Sequence, residues 1–235
     1  MKYTSSEQEL YAEARIRAEY NAGNCALAVE LATEFYQHSP HSPLAKYLYA
    51  AMHGDYSYDS RLPKEEKDRF LHIARQGIKE LFEDPDRHQW PAMFAGRVQN
   101  EYYWFFELYD EQYKLGLMKN QEAPGTGDYS CCVGASMLAL KKLRAGDSAD
   151  SEEWARVSLK YFAEFERHRP DWYNINYFSA QAYACLGEYD KALVSFQEMF
   201  RKQKAPENQN EIQEFLVLME EVRNLRAIDP ASKSP

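Results

Sequence analysis

The stretch from Asn174 to Phe200, NINYFSAQAYACLGEYDKALVSFQEMF, predicts two short helices joined by a tight turn. The turn is LGEYD, residues 186–190, and its glycine is the residue that commonly ends a helix. Small and bulky residues alternate along both helices, as close packing of one helix against another requires. The rest of the chain repeats this unit with distortions, so the stretch predicts the architecture of the whole protein.

One spacing of small, bulky and apolar residues recurs along the chain. Ala192 is followed four residues later by Phe196, and three residues after that by Met199. A proline ends each copy within four to seven residues. Such self-similarity is typical of stacked helix pairs. The other copies are Ala28-Ala32-Phe35, Ala74-Ile78-Leu81 and Ser158-Phe162-Phe165.

Residues 174–206 resemble a tetratricopeptide repeat. Ala180 and Ala192 match the small residues at which the two helices of such a repeat approach each other, and Gly187 matches its turn glycine. The resemblance implies an all-α fold, a right-handed α-α superhelix of stacked helix pairs with about 10 to 12 helices. An unrelated α-α bundle that contains one such unit is the alternative. The aromatic positions of the motif are matched by Tyr183, Tyr189 and Phe196.

Length and composition agree with one helical domain. The chain has 235 residues, with only 10 glycines and 10 prolines, and it lacks β-branched runs of strand length. The 18 tyrosines, 12 phenylalanines and 4 tryptophans supply a large apolar area for a core. We predict a single repeat domain over residues 1–228 and a disordered tail over 229–235.

The charge and the cysteines exclude several functional classes. A formal net charge of -9 disfavours nucleic acid and anionic membranes as partners. The N-terminus has no apolar signal segment, and no apolar run reaches membrane-spanning length, so we expect a cytoplasmic protein. The four cysteines are expected to be reduced, buried thiols. The histidines and acids show no metal-ligand spacing, and we predict no metal, no cofactor and no catalytic residue.

Three local expectations concern helix ends and faces. Ser5 or Ser6 is predicted to cap a first helix that buries Leu10, Tyr11, Ala14 and Ala18. The aromatic segment 91–118 is predicted to be one long helix, or two with a kink near Asn100. A later helix is predicted to start at Ser151, after the turn AGDSADS.

The repeat resemblance implies that a partner peptide binds along the first helices of the pairs. Asn and Gln side chains can bond a peptide backbone, and Tyr offers a rigid apolar ring with a polar tip. The predicted function is therefore a non-enzymatic adaptor or scaffold that holds a protein or peptide in a concave groove. Carried over by position, the groove residues are Asn174, Tyr177 and Gln181, then Tyr49 and Met52, and finally Gln99 and Asn100.

Two other functions remain open from the sequence. The acidic and aromatic segment 97–113 places Arg97 and Glu101 on one helix face, with Glu107 further round. Two carboxylates there would suit a small-ligand site or a peptide-cleaving enzyme, whereas a structural ion pair is the simpler interpretation. The third possibility is a subunit that buries its aromatic surface in a homo-oligomer.

Overall fold

The computed structural model describes residues 5–59, 61–203 and 209–228. Within these ranges the chain forms eleven α-helices, one 3-10 helix and no strand, which confirms the all-α prediction. Pro206 and the tail 229–235 lie outside the described residues. The helices are α1 Glu7–Asn21, α2 Cys25–His38, α3 Pro43–Tyr56, α4 Lys64–Phe82, the 3-10 helix Pro85–Gln89, α5 Ala92–Phe105, α6 Tyr109–Glu122, α7 Asp128–Arg144, α8 Ser148–His168, α9 Ile175–Cys185, α10 Tyr189–Gln203 and α11 Gln209–Ile228.

The helices group into two compact units, Met1–Leu108 and Tyr109–Pro235. The first unit contains α1 to α5, and the second contains α6 to α11. Each unit has its own cluster of buried apolar side chains. The single domain over residues 1–228 stays a prediction.

Three tight turns end a helix with a glycine at positive φ. Gly23, Gly146 and Gly187 have φ values of 81°, 79° and 78°, and they follow α1, α7 and α9. At Gly187, the N–H of Glu188 donates to the carbonyl of Tyr183 at 2.9 Å. This is the hydrogen bond that spans six residues in a Schellman motif. The tight turn predicted at residues 186–190 is thereby confirmed.

Helix α5 ends by the same pattern without a glycine. Glu107 has a φ of 55°, and the N–H of Leu108 donates to the carbonyl of Tyr103 at 2.8 Å. The left-handed conformation costs a residue with a Cβ about 1–2 kcal/mol. The segment 91–118 is therefore two helices, and the break lies at Glu107 rather than near Asn100.

Side-chain caps fix the starts of several helices. Ser6 and Glu9 form a reciprocal capping box at α1, and Ser42 caps α3 with Pro43 in its first turn. Helix α8 begins at Ser148, three residues before the predicted start, because the carboxylate of Asp147 accepts the backbone N–H of Asp150 at 3.1 Å.

In the first unit, each helix packs against the next, and α1, α3 and α5 also contact one another in series. The buried face of α1 differs from the prediction. Ile16 is 1% exposed, whereas Leu10 and Tyr11 are 52% and 73% exposed. Glu13 and Arg17 lie one helical turn from each other beside Ile16, so the inward face of α1 is largely polar.

Close approach of helices in the first unit depends on small residues. A Cβ added to Gly77 of α4 would lie 2.8 Å from the Cβ of Ala50 on α3, and a Cβ on Gly54 would overlap the ring of Phe105. These contacts fix the rotation of α3. Gly54 faces Phe105 of α5, and Tyr47, which lies two helical turns before Gly54, is therefore on the same side of α3.

In the second unit, α6 packs on α7 almost backbone to backbone. A Cβ on Gly134 would lie 2.8 Å from the backbone nitrogen of Tyr113, and one on Gly127 would overlap the carbonyl of Gly116. In the loop GTG at residues 125–127, Gly125 adopts a positive φ of 84°, and Gly127 allows the close contact with Gly116. Helices α7 to α10 pack in sequence, α7 also contacts α9, and α11 lies against both.

Among the described residues, no helix has both the length and the apolar character needed to cross a lipid bilayer.

Candidate functional site

The first unit gathers charged and tyrosine side chains from three helices, which we call the α1/α3/α5 cluster. On each helix its members are separated by three, four or eight residues, so that they share one face. The cluster consists of Glu13, Arg17 and Tyr20 from α1, Tyr47 and Asp55 from α3, and Arg97 and Glu101 from α5.

One carboxylate joins two of these helices. The Oε1 atom of Glu13 accepts from Nε of Arg17 and from Nη1 of Arg97, each at 2.8 Å. The Glu13 side chain is 14% exposed, and each arginine side chain is 38% exposed. The Glu13 carboxylate therefore positions both arginine side chains, and part of each side chain remains accessible to solvent.

Two other carboxyl groups of the cluster are half-buried. Tyr47 donates from Oη to Oε1 of Glu101 at 3.4 Å, and Tyr20 is hydrogen-bonded to Asp55. Burial, together with the charge of Glu101, raises the pKa of Asp55 to about 8. Burial also raises the pKa of Glu101 to about 7. Near neutral pH, this pair of carboxyl groups therefore retains part of its protons.

Aromatic side chains border the carboxyl pair. Tyr58 is hydrogen-bonded to the side chain of Trp104, and the charges of Asp55 and Glu101 both act on its hydroxyl. Tyr58 is 48% exposed. The face therefore combines exposed guanidinium donors, carboxyl acceptors and an exposed tyrosine, a set that can bond polar groups and pack against apolar ones.

The structure places the predicted residues of α3 away from this cluster. The ring of Tyr49 stacks on Tyr36 of α2, with centroids 4.8 Å apart. Met52 is 4% exposed and belongs to the core, so it offers almost no surface to a ligand. On the same helix, Tyr47 and Asp55 contribute to the cluster instead.

The predicted residues of α5 are half-buried. Gln99 donates from Nε2 to Oη of Tyr103 at 2.9 Å. The Oδ1 atom of Asn100 is buried and has no hydrogen-bond partner in the described part of the chain. The next residue, Glu101, is the one that α5 contributes to the carboxyl pair.

The predicted residues of the second unit lie around α9. Asn174 is exposed, and Tyr177 makes an edge contact with Phe215 of α11, with centroids 6.0 Å apart. Gln181 is 2% exposed and donates from Nε2 to the carbonyl of Ser136 at 3.0 Å. Gln181 therefore joins α9 to α7 in the interior, and α11 packs against Tyr177.

Sequence reasoning missed most members of the cluster, including Asp55 and Glu13. It paired Glu101 with Glu107, but Glu107 is exposed in the turn after α5, and the charge of Glu101 acts on Asp55 instead. The signal that could have found the cluster is the repeated spacing of four in Glu13-Arg17 and Arg97-Glu101.

The described residues do not favour a metal-binding site or a nucleophilic cysteine. In the ranges that the structure describes, no group of three or more His, Cys, Asp or Glu side chains is placed to hold a metal ion. Burial raises the pKa of the Cys131, Cys132 and Cys185 thiols to about 12, so they stay protonated and poorly nucleophilic near neutral pH.

No protein-family model, curated protein or solved structure matches this chain.

Proposed function

We propose that the protein is a non-enzymatic interaction module that binds a partner polypeptide on the α1/α3/α5 cluster. The observation that carries this proposal is the convergence of seven polar or charged side chains from α1, α3 and α5. Tyr47 is buried among them, and Arg17 and Arg97 reach the surface. The contacts between α1, α3 and α5 also agree with the neighbour pattern of stacked helix pairs, in which first helices line one side.

The chemistry of the face suits a polypeptide. The half-exposed guanidinium groups of Arg17 and Arg97 can donate to backbone carbonyls, and the Asp55 and Glu101 carboxyl groups can accept from backbone N–H groups. Tyr58 adds an exposed ring with a polar tip. Exposed tyrosine and arginine are the residue types that most often dominate binding energy at protein interfaces.

Quantitative affinity capture with variants of this face tests the proposal. Replacing Arg97 and Tyr58 together by alanine should lower recovery of a specific partner about fivefold or more. The matched control is Glu153→Gln, an exposed change on α8 of the second unit, which should leave recovery unchanged. Equal recovery by all three proteins would show that partners do not use this face.

The carboxyl pair favours a second candidate, an acid–base enzyme. Asp55 and Glu101 repel each other, and both titrate near neutral pH, as paired catalytic carboxyl groups often do. We would screen peptide, ester and glycoside hydrolysis between about pH 6 and pH 9. Glu101→Gln should abolish any turnover that this pair performs, and turnover that survives this change would remove the enzyme candidate.

A further inference from the structure

A surface cleft of about 450 Å³ lies between α8, α9 and α10 of the second unit. Its volume falls within the range of about 300–1,000 Å³ that is usual for ligand pockets. Phe162 of α8 and Val194 of α10 supply apolar walls, and Val194 is 65% exposed. The cleft shares no residue with the α1/α3/α5 cluster.

The floor of the cleft contains a buried amide whose oxygen is unpaired. Asn176 is 1% exposed, and within the described residues its Oδ1 atom has no hydrogen-bond donor. The nearby hydroxyls of Ser179 and Ser195 are both directed to the backbone carbonyl of Asn176, at 3.0 and 3.3 Å, so they do not serve the amide. A buried acceptor without a donor destabilises a fold by about 1–3 kcal/mol, and a ligand that supplies a donor removes that penalty.

Carboxylates stand at the rim of the cleft, where Lys191 also lies, paired with Glu188 at 2.7 Å. Glu166 of α8 accepts from Nζ of Lys202 at 2.8 Å, and Glu198 of α10 accepts from Nε of Arg201 at 2.6 Å. The Arg201 side chain is 73% exposed, whereas the Lys202 side chain is only 6% exposed. Each carboxylate keeps further acceptor sites. Both carboxylates line the cleft, so they can attract an added cation while their existing partners stay in place.

We propose that this cleft binds a lysine or arginine side chain of a partner peptide. The apolar stem of such a side chain matches the walls at Phe162 and Val194, and its cationic head matches Glu166 and Glu198 at the rim. A donor from the peptide serves the amide oxygen of Asn176. The site lies in the second unit and does not depend on the function proposed for the α1/α3/α5 cluster.

A nuclear magnetic resonance titration of the full chain tests this site. The probe is acetyl-Gly-Lys-Gly-amide, and its matched control carries norleucine, which keeps the apolar stem and lacks the ammonium group. The lysine peptide should produce saturable shifts of the Asn176 side-chain amide and of the Glu198 backbone amide, and the norleucine peptide should not. Equal shifts with both peptides, or none with either, would overturn the proposal.

Variants of Glu166 and Glu198 test whether their negative charges are needed to bind the lysine peptide. Glu166→Gln combined with Glu198→Gln should weaken lysine-peptide binding about fivefold, corresponding to about 1 kcal/mol. The melting temperature should also fall, because Lys202 loses its carboxylate partner, so binding is compared at a temperature at which both proteins are fully folded. The control is Glu153→Gln, which removes an exposed carboxylate from the same helix α8 away from the cleft. The proposal fails if the double variant binds as tightly as the native protein, or if the control weakens binding equally.

Discussion

Glu107 shows how one residue conflicts with the conformation that it occupies. It takes a φ of 55°, the place that glycine fills after α1, α7 and α9. Glu107→Gly should therefore raise the free energy of unfolding by about 1 kcal/mol, the strain relieved less the entropy that glycine adds to the unfolded chain. Urea denaturation measures the change. Gly187→Ala, the reverse exchange at a φ of 78°, should lower the same quantity.

The four thiols differ in accessibility. Cys131, Cys132 and Cys185 are buried, and burial raises the pKa of each to about 12, whereas Cys25 is half-buried. An aromatic disulfide reagent at about pH 8 should therefore modify one thiol quickly and the other three only as fast as the protein unfolds. Cys25→Ser should abolish the fast phase. A fast phase of two or more thiols would contradict this placement.

At the scale of the helix, the first cap was predictable and the orientation of the face was not. Ser6, one of the two serines predicted to cap α1, does so, because a cap depends only on residues within one turn. The buried face of α1 was predicted from apolar spacing, but this helix turns the polar pair Glu13 and Arg17 toward α5 through the ion pair to Arg97. Tertiary pairing of that kind leaves no apolar periodicity on the helix.

The end of α5 was unpredictable for a related reason. The sequence carries no glycine or proline at residues 105–109, so the break at Glu107 has no local signature. The candidate site also has no local signature in the sequence. Its residues are dispersed over α1, α3 and α5, and the tertiary packing of Gly54 against Phe105 decides which side of α3 faces α5.

The packing of α6 on α7 depends on Gly134. A methyl group there would lie 2.8 Å from the backbone of Tyr113, so one helix must move. Gly134→Ala should lower the free energy of unfolding by about 1–3 kcal/mol. The matched control is Gly96→Ala on α5, where nothing lies within 4 Å of the added carbon. There the better helix propensity of alanine should raise stability by about 0.5–1 kcal/mol.

At the scale of the whole molecule, titration of the carboxyl pair links stability to pH. The folded state raises the pKa of Asp55 to about 8 and that of Glu101 to about 7, above their ordinary values of 3.8 and 4.5. Their contribution to stability is therefore complete below about pH 4 and is lost as the pH rises through about 7 and 8. The native first unit should become less stable between about pH 4 and pH 8, because in that range only the unfolded chain releases these protons.

Asp55→Asn tests this pH dependence. The variant should exceed the native protein in stability by about 1–3 kcal/mol at pH 9. The two should converge below about pH 4, where the native carboxyl group is protonated in both the folded and the unfolded state. Burial lowers the pKa of His53, so both proteins should lose stability together as the pH falls below about 6.5. Urea denaturation at each pH, followed through Trp90 and Trp104 of the first unit after the other tryptophans are replaced by phenylalanine, gives the comparison. A constant difference between the two proteins at every pH would contradict the raised pKa of Asp55.

Site-specific photo-cross-linking tests the proposed binding face most directly. A benzophenone amino acid replaces Tyr58, which is 48% exposed beside Asp55 and Glu101, and in a second protein it replaces Glu153 on α8. Illumination in the native lysate should attach one specific polypeptide at position 58, none at position 153, and much less at position 58 when Arg97→Ala is also present. Equal cross-linking at both positions, or cross-linking at position 58 that Arg97→Ala leaves unchanged, would contradict the assignment of the α1/α3/α5 cluster as the binding face.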